Sequence, residues 1–203
     1  MSAGSNSFGK LYRWTTFGES HGPAMGVVID ACPARVPIDE ALLVQKLNER
    51  RPGQQGTTTR SEADTPEILS GVFEGKSLGT PIAAIVRNQD QRSEDYQELK
   101  EKDRVGHADR VWREKFGLRD HRGGGRASAR ETLNWVIAGA FAQMLCTSLS
   151  EETHVQGQLL EVGGRPFTSV RDPELLDWMG EAQEKGESYG AILQVRVTKP
   201  PVG

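Results

Sequence analysis

Between Ala129 and Leu149, apolar residues recur at Leu133, Val136, Ile137, Ala140, Phe141, Met144 and Leu145, the three-and-four spacing of an α-helix. Ala138, Ala142 and Trp135 widen that stripe, so the helix is expected to be largely buried and to organise the core around it. Its amino end begins where a glycine-rich basic run ends, Arg122-Gly123-Gly124-Gly125-Arg126-Ala127-Ser128-Ala129-Arg130-Glu131-Thr132. The unpaired N–H groups and dipole of a first helical turn favour a bound anion. Just upstream lies Arg104-Val105-Gly106-His107-Ala108-Asp109, which places a proton carrier near an anion cradle.

The 203 residues fit a single domain large enough for a real core. Formal net charge is −3, yet Arg104, Arg110, Arg113, Arg119, Arg122, Arg126 and Arg130 fall together in one stretch. Positive charge is therefore local, which suits a compact anion better than a polyanion, and the acidic balance argues against nucleic acid as a partner. Mean hydropathy of −0.54 fits a soluble protein. No apolar run is expected to approach the roughly 20 residues that cross a bilayer. The start Met1-Ser2-Ala3-Gly4-Ser5-Asn6-Ser7 lacks a signal-peptide pattern, so the expected compartment is the cytoplasm, with no membrane partner. Cys32 and Cys146 show no CxxC spacing, and His21, His107, His121 and His154 no metal-binding spacing, so neither a disulfide framework nor a structural metal is expected. Cys146, inside the apolar helix, is read as a small core residue.

Along the chain, Gly26-Val27-Val28-Ile29-Asp30 predicts a strand after a polar loop, Thr15 through Pro23, that presents His21. Pro37 and Asp39-Glu40 open a helix carrying Leu42, Leu43 and Leu47, which stops at Pro52-Gly53. Residues 68–73 and 81–86 read as an antiparallel hairpin, and the polar residues 88–102 as a surface loop able to act as a lid. A strand over 155–162, a helix from Asp172-Pro173 toward Gly186 and a strand over 191–197 complete the pattern.

The triple glycine is not a P-loop, because no Gly-Lys-Ser/Thr follows, and no strand-Gly-x-Gly-x-x-Gly pattern marks a dinucleotide site. His107 gains chemical meaning from Arg104, which can hold an anion while the imidazole exchanges a proton near neutral pH. His21 sits among Gly18, Gly22 and Pro23, a shaped loop rather than a helix face. Arg50 and Arg51 either complement the carboxyl end of their helix or, if that end faces the pocket, bind substrate.

Six motifs occur in order: Thr16-Phe17-Gly18-Glu19-Ser20-His21-Gly22, Arg50-Arg51-Pro52-Gly53, Ser70-Gly71-Val72-Phe73-Glu74-Gly75, Asp90-Gln91-Arg92-Ser93, Gly106-His107-Ala108-Asp109 and Arg122-Gly123-Gly124-Gly125-Arg126. Taken jointly, they resemble chorismate synthase, over essentially the whole chain but only the amino-terminal part of the family. The resemblance implies an α+β fold, with helices packed between antiparallel sheets, of which these residues form the first half as one domain. It implies a carbon–oxygen lyase that converts 5-enolpyruvylshikimate 3-phosphate to chorismate and phosphate, the last step of the shikimate pathway. Reduced FMN is the implied cofactor, with NADPH as a possible flavin reductant, and the implied assembly is a homo-oligomer, a tetramer in the family.

By that resemblance, His21 protonates the departing phosphate and His107 the reduced flavin. Ser20, Arg50, Arg104, Ser128 and Arg130 contact the anionic substrate, and Arg126, Ala127 and Ser128 form a flavin-binding segment, with Ala127 where serine is also common. Arginine suits such sites because its planar fork binds phosphate or carboxylate through two hydrogen bonds. Gly56 stands where some members place an arginine, a contact that Arg60 is a candidate to supply. The family's later segments complete the flavin pocket and supply an aspartate implicated in proton removal; they have no match within this chain, whose lone half is expected to associate through exposed apolar surface. The rival reading is a non-catalytic anion- or flavin-binding or assembly module that keeps the anion cradle.

Overall fold

The computed structural model describes residues 6–50, 64–88, 100, 102–104 and 106–200. The chain is α+β with antiparallel sheets, as expected. Among the described residues, one compact unit ends at Leu145 and a second begins at Cys146.

The strands of the first unit are β1 (Ser7–Phe8), β2 (Arg13–Phe17), β3 (Ala24–Asp30), β4 (Ala34–Pro37), β5 (Pro66–Ser70), β6 (Val72–Phe73), β7 (Lys76–Leu78) and β8 (Ile82–Arg87). Its helices are α1 (Glu40–Arg50), α2 (Asp109–Phe116) and all but the last turn of α3 (Thr132–Leu149). Five strands pair antiparallel in the order β1-β2-β3-β8-β5, and β4-β7-β6 make a smaller sheet. Met25, Val27 and Ile29 of β3 lie opposite Val86, Ala84 and Ile82 of β8, so alternate residues of both strands share one face. Leu43 and Leu47 of α1 and Leu133, Ile137, Phe141 and Met144 of α3 join those residues in one core, none of them more than 5% exposed.

Ala129–Leu149 is long and apolar enough to cross a membrane by length and composition, although the sequence reading placed no apolar run near that length. Its buried stripe is nonetheless a core face, spaced i, i+4, i+8 and i+11 from Leu133. Trp135 does not widen the stripe as expected; it is 56% exposed and meets Trp14 edge-on with ring centroids 5.3 Å apart. Cys146 is only half-buried, whereas Cys32 is fully buried, which pushes its thiol up from the ordinary range.

Several boundaries differ from the sequence reading. Thr15, Thr16 and Phe17, read as loop, finish β2 and pair with β3. Pro37 belongs to β4, and α1 starts at Glu40 under a cap from Asp39, whose Oδ1 accepts the Leu42 N–H at 3.0 Å. The expected hairpin of 68–73 with 81–86 is split. Ile68 pairs with Ala84, but Gly71, at φ +83°, turns the chain away so that Val72 pairs with Ser77 in the smaller sheet. The buried Ser77 hydroxyl donates to Pro33 O and accepts the Val36 N–H, tying β7 to β4. The lid expected over 88–102 lies largely outside the described residues, as do Arg51, Gly56 and Arg60.

In the second unit, β9 (His154–Val162), β10 (Arg165–Pro166) and β11 (Ala191–Thr198) form an antiparallel sheet in the order β10-β9-β11, and α4 (Pro173–Lys185) joins it. Here the sequence signals hold: Asp172 caps α4 by accepting the Glu174 N–H, Pro173 opens it, and Gly186 ends it in the left-handed region. Leu159, Val162, Phe167 and Leu175 make a small core beside Trp178.

Gly71 has a positive φ, and a Cβ there would stand 2.6 Å from Pro81 O. Gly71→Ala is expected to lose about 1–3 kcal/mol of stability, measured by denaturant unfolding; an unchanged midpoint would show that the split between the two sheets does not depend on this glycine.

Candidate functional site

The turn after β2 carries Ser20 and His21, 5% and 2% exposed. Gly22 N–H closes it on Glu19 O at 2.9 Å. The Ser20 hydroxyl lies 3.1 Å from Gly123 O and 3.1 Å from His21 Nδ1. A hydroxyl has one proton to give. With it on the Gly123 carbonyl, Ser20 Oγ accepts from Nδ1–H, which leaves Nε2 of the neutral ring as the nitrogen able to exchange a proton.

Gly123, Gly124 and Gly125 all adopt positive φ, +58°, +87° and +54°. A Cβ at Gly123 would stand 1.9 Å from His21 Nδ1, and one at Gly124 2.8 Å from Arg104 Nη2. The run is therefore a close-approach surface. Its backbone meets the histidine ring directly, and Gly125 O accepts the Ser20 N–H at 3.4 Å. Two 3₁₀ turns follow, Gly125–Ala127 and Ala129–Glu131, so α3 begins at Thr132 rather than at residue 129. Ser128 stands between them and its Oγ accepts the Arg130 N–H at 3.3 Å.

Each arginine of the basic stretch has a carboxylate partner. Arg104 pairs with Asp109, Arg110 with Glu114, Arg113 with Asp103, Arg119 with Asp103 and Asp109, Arg122 with Asp120, Arg126 with Glu131, and Arg130 with Asp64. The local positive charge read from the sequence is thus largely balanced in space. Asp64 is shared: its side chain is 2% exposed, with Oδ2 3.2 Å from Arg50 Nη1 and Oδ1 3.0 Å from Arg130 Nη2. Two guanidiniums on one carboxylate leave a net charge of +1. Burial pushes Arg50 below its ordinary range, and Asp64 opposes that shift. Arg50 Nε also donates to Thr132 Oγ1 at 3.0 Å, which orients its fork beside the start of α3.

Asn88, directly after β8, joins these groups. Its Nδ2 donates to Glu19 O and Gly22 O, and its Oδ1 accepts from Arg130 Nε at 3.0 Å. The structure therefore brings Ser20, His21, Arg50, Arg104 and Arg130 into one neighbourhood around the glycine run. Arg126 is a clamp: its guanidinium donates to Gly18 O, Thr16 Oγ1, Asn6 Oδ1 and Glu131 Oε2. Ala127 is exposed, and a cleft of about 170 Å³ runs past Glu19, Trp112, Arg119, Gly124, Arg126 and Ala127. His107 stands apart from the contacts just described, exposed on a turn where its N–H meets Arg104 O at 3.3 Å.

Sequence reasoning missed Asp64, Asn88, Glu131 and the anchoring role of Asp109. Asp109 had a signal, since it ends the Gly106-His107-Ala108-Asp109 motif. Its carboxylate takes two bonds from the Arg104 side chain and one from its backbone N–H. Those bonds, chiefly from the Arg104 side chain, hold its pKa at about 2, below the ordinary 3.8. Asp64 and Asn88 sit in polar stretches with no pattern to mark them.

Asp64→Ala would leave Arg50 and Arg130 facing each other in a mostly buried site, and is expected to cost on the order of 3 kcal/mol, read from chemical denaturation. For Asp109 the folded pKa lies below the unfolded one. The pair's stabilisation is therefore whole above about pH 4 and is lost as pH falls through about 2. Acid unfolding of Asp109→Asn should lack that component and start from a lower stability at pH 7; superimposable acid curves would remove Asp109 from the balance.

The family model for chorismate synthase matches residues 12–203. Chorismate synthases of Bdellovibrio bacteriovorus, Gluconacetobacter diazotrophicus and Methanosarcina mazei are 47%, 44% and 44% identical, over 97%, 98% and 98% of this chain. The chain spans 65%, 60% and 60% of those proteins' own length. A solved structure described as a crystal structure of chorismate synthase superposes with a TM-score of 0.65 at 28% identity, over 92% of this chain and 57% of that one. Fold, motif order and sequence agree, and the chain belongs to the chorismate synthase family.

Proposed function

We propose that this chain carries the phosphate-eliminating chemistry of chorismate synthase, converting 5-enolpyruvylshikimate 3-phosphate to chorismate and phosphate. In this anti elimination a C–O bond breaks, a C–H proton leaves across the conjugated framework, and a new C=C bond forms. The supporting observation is the buried Ser20–His21 pair seated on the Gly123 backbone beside a doubly held arginine pair.

Phosphate is a better leaving group once protonated. His21 suits that task because Ser20 and Gly123 hold its Nδ1 side, leaving Nε2 to deliver the proton to a phosphate oxygen. Arg50 and Arg130 draw in the anion with their net positive charge, and Arg104, Ser20 and Ser128 add polar contacts. Asp64 keeps the two guanidiniums from repelling each other before the substrate arrives.

The segment Arg126-Ala127-Ser128 fits a flavin held through the backbone. Gly124, Gly125 and exposed Ala127 leave the peptide surface of the cleft bare, while Arg126 is committed to holding the loop. The cleft is smaller than the roughly 300–1,000 Å³ of complete ligand sites, so these residues supply one wall. When bound, reduced FMN supplies electron density to the carbon framework without net redox change. His107, exposed near Arg104, is the residue assigned to the cofactor's protonation. NADPH as flavin reductant, a homotetramer and a cytoplasmic location complete the proposal. The pairing of the basic stretch with carboxylates speaks against nucleic acid as a partner.

Anaerobic incubation of the purified chain with chemically reduced FMN and 5-enolpyruvylshikimate 3-phosphate should give equimolar chorismate and phosphate. His21→Ala and His107→Ala should each lower the rate about 10²–10⁴-fold. Flavin binding by a folded sample that makes no chorismate would instead support the binding-module reading.

A further inference from the structure

We infer that Asn88 is a positioning residue that fixes the place of His21 relative to the anion-gripping Arg130; the inference rests on the function proposed above. Asn88 follows the last residue of β8, and its backbone N–H meets Pro23 O at 3.1 Å, so it is anchored to the sheet at one end of the His21 turn. Its amide group then works in two directions. Nδ2 donates to Glu19 O at 3.1 Å and Gly22 O at 2.6 Å, the two carbonyls that bracket Ser20 and His21. Oδ1 accepts the Arg130 Nε–H at 3.0 Å.

Both amide hydrogens and the amide oxygen are thereby used, and the chemistry of the partners fixes which way the group faces. Two carbonyls require donors, and a guanidinium N–H requires an acceptor. Aspartate would keep the bond to Arg130 but turn an oxygen toward two carbonyl oxygens. Glutamine would displace the amide by one methylene. Few side chains other than asparagine meet all three partners at this length.

Arg130 is held on another nitrogen by Asp64, which also holds Arg50. An anion taken up by these arginines is therefore gripped by a group whose Nε rests on the same amide that pins the His21 turn. Without Asn88, the turn keeps Gly22 N–H to Glu19 O and the Ser20 contacts to Gly123 and Gly125, and Arg130 keeps Asp64. Each half survives, but the distance between them is no longer fixed. Misplacement of a reacting group by about 1 Å costs roughly 10²-fold in rate, whereas anion affinity depends on the arginines.

Asn88→Ala in the full chain, assayed with reduced FMN, is expected to lower kcat about 10–100-fold while KM for the phosphorylated substrate stays within about threefold. Asn88→Asp should not restore kcat, although it keeps the acceptor for Arg130. A lower melting temperature with unchanged kcat per folded molecule, or a rise in KM alone, would overturn the assignment. The second readout needs no turnover. The His21 Cε1–H resonance should move between wild type and Asn88→Ala without ligand, while signals of the second unit, such as the Trp178 indole, stay in place. An unmoved His21 signal overturns the positioning role. If wild type makes no chorismate but the His21 signal moves, the proposed function fails and the positioning role stands. Should Asn88→Ala not fold, Asn88→Ser, which keeps one donor, carries the same tests.

Discussion

No side chain can stand at position 123, and much of the first unit's polar architecture follows from that. A Cβ there would lie 1.9 Å from His21 Nδ1, so the ring and the backbone meet as directly as two groups can. The contact is completed by the Ser20 hydroxyl, which reaches the Gly123 carbonyl and the ring together. Successive positive φ values at residues 123–125 are accessible to glycine without strain, and only at a cost in chain entropy. What offsets that cost is the burial it permits: His21 and Ser20 are nearly sealed from solvent, yet their polar atoms are paired.

Electrostatics in this neighbourhood consist of balanced pairs with one deliberate surplus. Asp109 takes Arg104 through both side-chain nitrogens, and Glu131 takes Arg126, so these arginines hold loops to one another. Around Asp64 the count differs, because one nearly inaccessible carboxylate serves two guanidiniums. Pairs removed from water gain little net stability over apolar packing. Their use is geometric: they hold Arg50 from the end of α1 and Arg130 from the approach to α3 at a set spacing, with charge left over for an anion.

Legibility in the sequence tracked whether a signal was local. The α3 stripe, the β9 and β11 strands and the Asp172-Pro173 and Gly186 ends of α4 depend on neighbours within a few residues, and each was readable. Trp135 was misplaced because periodicity cannot say whether an aromatic at the margin of a stripe faces the core or another surface ring. Gly71 hid a change of sheet, since an apolar run looks the same whether or not it turns halfway. In the site, His21 and the glycine run were legible as motifs. Asp64 and Asn88 were not, because their meaning comes from partners far along the chain: Asp64 meets Arg130, and Asn88 meets both Glu19 and Arg130.

Every polar group of the site, from Ser20 to Arg130, lies on the first unit, on loops that leave two sheet strands and two helices with shared core contacts. The second unit has a different character. Its β11 is exposed along its whole length, with Ile192, Leu193, Val195 and Val197 each more than half exposed, and one of its edges unpaired among the described residues. Exposed apolar edge strands are a liability unless covered, and none of the polar contacts of the site draws on this strand. The chemistry is thus held by ion pairs and glycine backbone in a unit with its own core, so the geometry around His21 can be set by first-unit residues alone. A relative's identity over most of this chain therefore bears on the site through residues such as Gly123, Asn88 and Asp64, whose roles are local in space however distant they are in sequence.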